Sequence, residues 1–504
     1  MAEEKKEQVL LPSYRLYGRK KIFITEEEIT KDNVIEIVNK AVSLHIQNLN
    51  EEEYLYWYRR GKQPILNRQR EIRSELTKTV VVNNAQMIVN FKNGYFLTAP
   101  TSYYSLFEDK FITDNVKKFN DYCAASGKAI ADNEIVDWFD TVGLGVQYVE
   151  PDKGASDRHP FHTYSLDPRS AFCVYSYRPG NERVLGINIV IQGENTLYDV
   201  FTKKWHFLLK GGSSHPDVST SENQFGSATE IEGEPKPNII GEVPFIEYQF
   251  DMNRMSSFEA GIPICDELNE MWSQLGEGIE EQIQQLCVAT NCQFDEGVTA
   301  NDIRKAGMLV LRSTGVEGGK ASFDILNSDI SQSEVQGSID KLYEQLLDKT
   351  GLPSIARNEG GTSDNGSAVY LRSGYSIADT HRRNTEDLWR RSDREFRKVV
   401  LAILKYRWPD FNLEVEDFEL DIEPPTMSNL LVKSQAALNM RKLGLAPEIW
   451  LERSGLSNDP LTDIEKSKDY IYKYYESELT SASGTGTALN DEEQIEEVPS
   501  VEID

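Results

Sequence analysis

The residues of this 504-residue chain that come nearest to a known chemical motif are three glycines, Gly360, Gly361 and Gly366, in the stretch from Gly351 to Ser367. Thr362, Ser363, Asp364 and Asn365 lie among them, so the stretch has almost nothing to bury. A glycine-rich loop can cradle phosphate with its backbone amides, but the nucleotide-binding form needs a lysine after the last glycine. Ser367 stands there, and nucleotide binding by this loop is not expected. His159 and His162 are the closest pair of histidines, yet Pro160 between them favours a turn and no third metal ligand accompanies them. Cys123, Cys173, Cys265, Cys287 and Cys292 are scattered and odd in number, which argues against a disulfide framework and fits a reducing compartment. Zinc at Cys287 and Cys292 would need a second ligand pair, which the neighbourhood lacks. No hydrolase, metalloprotease or dinucleotide signature occurs. The expectation is no cofactor and no metal. The enzymatic rival left standing is an oligomeric cytoplasmic hydrolase built on His159, His162 and nearby acids.

Two helical patterns must hold the glycine loop. Ser331 to Lys349 carries Val335, Ile339, Leu342 and Leu346 at spacings of three and four, with a capping box in Ser331 and Glu334 and a stop in Gly351 and Pro353. Ala368 to Trp408 reads as one long second helix with ten basic residues, among them Arg383, Arg390, Arg394 and Arg397, against five acidic ones. Forty residues of helix span roughly 60 Å, more than one small domain covers, so part of it is expected to bridge domains or meet another subunit. Its apolar stripe is Leu388, Phe396, Val400, Ile403 and Leu404, and Glu386 with Arg390 and Asp387 with Arg391 have the spacing of intrahelical ion pairs. A third helix, Ile264 to Cys287, has Leu268, Trp272, Leu275, Ile279, Ile283 and Leu286 on one face and only acids among its charges. Those acids include Glu267, Glu270, Glu277 and Glu281.

The whole chain is acidic, with a formal net charge of −28. Such a chain does not coat nucleic acid, since its average field repels phosphate. Any contact with DNA has to be local or deliberately weak. With 39% hydrophobic residues it folds into two to four domains, and no apolar run approaches the ~20 residues that cross a bilayer, so a soluble protein made in the cytoplasm is expected.

Along the chain, Glu26 to Gln47 is expected to be helical, Glu51 to Tyr58 to begin a second, aromatic segment, and Met87 to Phe91 to form a helix closed at Gly94. Asn115 to Ser126 and Asp132 to Val142 read as helices. Gly143 to Glu150, Tyr164 to Arg169, Ala171 to Tyr177, Val184 to Ile191, Leu197 to Leu209 and Gly241 to Tyr248 read as strands. The segment 210–237 reads as a loop or disordered excursion. Met308 to Arg312 and Ala321 to Asn327 are expected to pair across a turn at Gly315 to Gly319, with a short helix near Thr299 to Ala306. Phe411 to Ile422 reads as a strand, Pro424 and Pro425 as a boundary, and Ser428 to Leu443, Pro447 to Ser454 and Thr462 to Leu479 as three helices. Residues 481–504 hold seven acids and no base, the composition of a disordered tail.

The order of elements resembles a known family. An aromatic pair, the basic run Arg59, Arg60, Lys62, Arg68, Arg70 and Arg73, an Asn-rich helix, and then Gly94, Tyr95, Phe96, Leu97 and Pro100 are similar to the portal proteins of long-tailed bacteriophages. Those commonly have a glycine where this chain has Thr98. The turn at Asp167 and Pro168 and the strand from Gly241 fit the same family, and the likeness covers roughly residues 50 to 480.

That resemblance implies an α+β, predominantly helical, ring-forming fold. It implies a wing at 1–258, a stem helix at 259–287, a clip at 288–329, a second stem helix at 330–350, a tunnel loop at 351–367, a long wing helix and strand at 368–423, a helical crown at 424–480 and an acidic tail at 481–504. It further implies a non-enzymatic virion protein: a ring, usually a dodecamer, at one capsid vertex that nucleates capsid assembly and passes double-stranded DNA. The implied partners are the terminase large subunit, a head-completion adaptor, and scaffolding and major capsid proteins. Arg357, Asn358, Gly360, Gly361, Ser363, Asn365 and Gly366 then face the DNA, and Glu267, Glu270, Glu277 and Glu281 make a negative wall that keeps it centred. Arg383, Arg390, Arg394 and Arg397 meet acids of the adjacent subunit. A third possibility is a self-assembling scaffold or adaptor that conducts no DNA.

Overall fold

The computed structural model describes residues 18–26, 28–69, 77–107, 109–152, 154, 158–192, 195–212, 225–283, 286–290, 292–293, 312–313, 322–326, 332–354, 374–422, 430–454, 456–457, 460 and 463–468. Two compact units divide between Pro425 and Thr426.

In the first unit, helix α1 (Val34–Arg59) is one continuous rod of 26 residues, which replaces the two segments expected there. It starts late because Asn33 accepts the Thr30 amide and donates to the Glu28 carbonyl, which fixes a turn at the expected start. No glycine or proline then interrupts the chain before Gly61. Val34, Ile37, Val38, Ala41, Val42 and Leu49 form the stripe by which its first half packs on a seven-stranded sheet.

That sheet runs β1 (Ile22–Ile24), β5 (Ala171–Ser176), β6 (Arg183–Gln192), β7 (Asn195–Thr202), β8 (Trp205–Gly211) and β10 (Lys236–Pro237), with β9 (Ala228–Ile231) also on β8. β1 joins β5 in parallel and the remaining ladders are antiparallel. Strict alternation along β7 puts Tyr198 and Val200 under α1. β9 and β10 correct the expectation of a structureless 210–237.

A three-stranded sheet, β11 (Phe245–Gln249), β3 (Leu144–Pro151) and β4 (Phe161–Leu166), sits under helices α3 (Lys110–Ala125) and α4 (Lys128–Val142). Asp109 caps α3 by accepting the Phe111 amide, and Asn83 caps α2 (Asn84–Phe96) by accepting that of Gln86. α2 passes through Gly94 and ends at Phe96, so that glycine does not stop it.

Helix α5 (Ile262–Ile283) and helix α6 (Gln332–Thr350) run antiparallel: Gly261, at the start of α5, lies against Leu346 and Thr350 near the end of α6. Beyond the other end of α5, β12 (Leu286–Thr290) pairs with β15 (Ser322–Leu326), and β13 (Cys292–Gln293) pairs with β14 (Arg312–Ser313). One expectation fails here: Leu286 and Cys287 leave the helix to pair with Leu326 and Ile325. β15 pairs with β12 and Arg312 pairs with Gln293, while 308–311 lie outside the described residues. The turn 315–319 and the helix near 299–306 lie outside the described residues, as does Ser331 of the capping box.

Helix α7 (Tyr375–Arg407) is 33 residues long. Trp389, Phe396, Val399, Val400, Leu401, Ile403 and Leu404 bury it against α3, α4 and β16 (Phe418–Asp421), which pairs with β2 (Ser102–Ser105). Buried positions run from Ala378 to Leu404, so the chain's own core covers one face of the rod, and its length does not by itself call for a neighbour. Phe411 to Asp417 is not strand.

The second unit contains α8 (Leu430–Lys442) and α9 (Pro447–Ser454), separated by a turn in which Gly444 has a positive φ of 79°. Only part of the third expected helix is described, and 469–504, the expected tail included, lies outside the described residues. No helix among the described residues is long and apolar enough to cross a membrane.

Candidate functional site

The acidic helix α5 is anchored at its start by a buried arginine. Arg19 donates to the Val142 carbonyl at the end of α4 at 2.8 Å, contacts Glu259 just before α5 at 2.7 Å and reaches Glu51 of α1 at 3.1 Å. One guanidinium therefore fixes three elements together. Asp266, one turn in, accepts from the Tyr58 hydroxyl at 2.7 Å, and burial raises its pKa.

An extended segment then runs antiparallel along α5. The amides of Val82, Val80 and Lys78 donate in turn to the side chains of Asn269 at 2.8 Å, Ser273 at 2.9 Å and Glu277 at 3.1 Å. The match is geometric. Two residues of extended chain advance roughly 6.6 Å and four residues of helix roughly 6 Å, so every second amide meets every fourth side chain. Nothing in the apolar periodicity signals this strap. The sequence clue is three polar, hydrogen-bonding side chains at i, i+4 and i+8 beside an apolar face.

The strap decides which acids α5 leaves open. Glu277 is 3% exposed and paired with Arg68 at 2.9 Å, so it does not line a channel in the way the sequence suggested. Glu270 is half-buried and paired with the same arginine at 2.9 Å. Glu267 is exposed and has no ion pair among the described residues. Glu281 lies in α5, but its side chain is outside what the structure describes. Ile279, expected on the buried face, is 44% exposed. The outer part of the helix has left the core.

Gly351 at the end of α6 has φ +73° and Gly374 before α7 has φ +82°. At both positions the chain takes the left-handed turn that glycine allows without strain. Residues 355–373 between them lie outside the described residues, and with them Arg357, Asn358, Gly360, Gly361, Ser363, Asn365 and Gly366.

The arginines of α7 are mostly engaged within the chain. Arg397, 2% exposed, meets Asp393 at 3.1 Å and donates to the carbonyls of Val415 and Phe418. Arg390 pairs with Glu386 at 2.7 Å and donates to the Leu420 carbonyl. Arg394 reaches Glu416 at 2.5 Å. Arg397, buried within the chain, corrects the expectation that it meets another subunit, because the turn and strand after α7 present carbonyls and acids to that helix face; Arg390 and Arg394 keep exposed surface beside their intrachain partners. Arg383 is exposed and makes no ion pair among the described residues. Glu386 with Arg390 is a true intrahelical pair, whereas Asp387 with Arg391 is not among the ion pairs of the described residues.

Asp393 belongs to a buried charged network. Besides Arg397 it accepts from the Tyr103 hydroxyl at 2.7 Å, and Lys128 lies 4.0 Å away while also contacting Asp132. Burial raises the Asp393 pKa, with Lys128 and Arg397 opposing. For Lys128, burial lowers the pKa most, yet Asp132 and Asp393 together raise it. Two cations and two anions thus compensate each other in the core.

His162 lies 3.8 Å from Asp152, and no group of three potential metal ligands occurs among the described residues. Cys123, Cys173 and Cys265 are free and buried.

This arrangement, an antiparallel acidic and mixed helix pair bearing short ladders at one end and followed by a long basic helix, accompanies a family match. Residues 42–473 match the family described as phage portal protein, SPP1 Gp6-like. The chain belongs to that family. Portal proteins are structural components of the virion that serve genome packaging, and the family is not enzymatic. Compared with curated proteins, this portal chain finds no match.

Proposed function

We propose that copies of this portal chain form a ring, a dodecamer, at one capsid vertex, through which double-stranded DNA is packaged by the terminase and later ejected. The same ring starts capsid assembly and offers its clip, the β12 to β15 module, to the terminase large subunit and then to the head-completion adaptor. The observation that carries this reading is the family match over 42–473, which includes α5, α6 and the module between them.

In the ring, α5 and α6 are the stem and present Glu267 to the axis. DNA carries one charge per ~1.7 Å, so a ring of carboxylates keeps it centred without holding it. The segment 351–367 projects beside the duplex, where Arg357 and Asn358 offer donors to phosphate. Gly360, Gly361 and Gly366 let identical copies follow a helix of different symmetry. Arg383 is a basic residue of α7 left for a neighbouring subunit.

Substituting Arg357→Ala, or deleting 360–366, is expected to leave ring assembly intact and to impair packaging in complemented particles. Lost assembly with normal packaging in the few rings that form would refute the role given to this segment.

A further inference from the structure

A cavity of about 860 Å³ opens between the last turns of α1, helices α2 and α4, and the turn from Asp167 to Arg169. Sites for small ligands have roughly 300–1,000 Å³, so a short stretch of peptide fits. Tyr56 and Trp138 stack 5.8 Å apart in the lining, and the guanidinium groups of Arg60 and Arg169 lie 4.1 Å and 3.9 Å from the centre of the Tyr56 ring. Other charges of the lining are satisfied within the chain: Arg59 holds Asp137 at 2.7 Å and Arg169 holds Asp167 at 2.6 Å. Arg60 and Glu134 are exposed and make no ion pair among the described residues. Neither the Tyr56 hydroxyl nor the Trp138 indole N–H has a hydrogen-bond partner there. The cavity therefore offers two ring systems, two free donors and one open charge of each sign.

The sequence ahead of Gly18 has the matching chemistry. Residues 7–15 read Glu-Gln-Val-Leu-Leu-Pro-Ser-Tyr-Arg, apolar side chains around one proline with an acid at one end and a base at the other. Aromatic-lined grooves take proline-bearing segments, because a residue before proline favours extended backbone and loses little freedom on docking. The chain also enters close by. Arg19 donates to the Val142 carbonyl at 2.8 Å, and the same helix α4 lines the cavity from Thr141 back to Asn133, roughly 12 Å along its axis. Eight residues of extended chain, from Arg19 back to Leu11, reach roughly 26 Å. We propose that residues 7–15 dock in this cavity of their own chain, with Leu10, Leu11 and Pro12 against Tyr56 and Trp138, and so tie α1, α2 and α4 together. The inference concerns one chain and does not depend on the ring.

The test is photo-crosslinking in the full-length chain, with a benzophenone amino acid in place of Leu11. The adducts, read by peptide mass spectrometry, are expected in 53–60 and 133–141 and should run at the mass of one chain on a denaturing gel. Adducts that run only at the mass of two chains would put a neighbour's segment in the cavity and overturn the proposal, as would adducts confined to other parts of the chain. Trypsin gives a second readout that leaves the cavity untouched. Cleavage after Arg15 tracks how often the segment is released, so it should become several-fold faster when Leu10→Glu and Leu11→Glu are combined. Equal cleavage rates at Arg15 in the parent and the double variant overturn it.

Discussion

The Arg397 guanidinium lies 3.1 Å from the Asp393 carboxylate, one helical turn back on α7, with both side chains buried. Its remaining donors go to the Val415 and Phe418 carbonyls and to the Glu419 carboxylate at 3.3 Å. Removing one partner of a buried pair strands the other, at a cost of about 3–5 kcal/mol. Arg397→Met is therefore expected to lower stability by that order in urea titration, while Arg383→Ala, on the exposed face, should stay within about 0.5 kcal/mol. Equal effects would mean that the two arginines share one environment.

The strap along α5 predicts an alternating exchange pattern. The amides of Lys78, Val80 and Val82 are bonded to α5 side chains. Residue-resolved hydrogen exchange should find them slower than those of Thr79 and Val81. Ser273→Ala should speed Val80 most and cost about 1 kcal/mol. Uniform exchange across 77–83 would contradict the register.

Two neighbours on α1 give opposite pH slopes. His45 is buried, stacked 4.0 Å from the Phe172 ring, and burial depresses its pKa from 6.5 to about 4. As pH falls through that window the unfolded chain takes up a proton that the folded chain refuses, so stability drops by about 3 kcal/mol in total. Glu51 is raised to about 7, mainly by burial and against the pull of Arg19. The folded chain keeps its proton above 4.5 where the unfolded chain releases it, so this group makes stability fall as pH rises toward 7. His45→Phe should flatten the first slope and Glu51→Gln the second. Unchanged unfolding profiles in both variants would refute these assignments.

Gly143 ends α4 at φ +91°, and a Cβ there would land on the Arg254 carbonyl. Gly143→Ala combines a left-handed backbone with a clash against main chain, and a loss above about 1 kcal/mol is expected in thermal unfolding. Gly94→Ala, in mid-helix with open space around it, should be neutral or stabilising.

What was legible in the sequence was local. Alternation located β6, and three-and-four spacing located α5 and α6, because those patterns report one buried face. Leu197 to Leu209, read as one strand, is instead the antiparallel pair β7 and β8 joined at Lys203 and Lys204. The strap was invisible, since it pairs residues nearly 200 positions apart through polar side chains that look like a solvated surface. The charge of α7 misled for the same reason: Arg390, Arg394 and Arg397 read as an outward face until β16 and the turn before it supply their partners. Trp389, 1% exposed beside Tyr248, carries no local mark of its burial. The strand from Leu286 was read as helix because its apolar residue continues the helical spacing, and only its distant partner β15 shows otherwise.

The central claim is that this chain works as a closed ring around an axis that admits a duplex. Electron-microscope imaging of the purified full-length chain tests it most directly. The expected images are rings of fixed copy number with an open centre. Well-folded particles that stay single at every concentration, or discs closed at the axis, would contradict it.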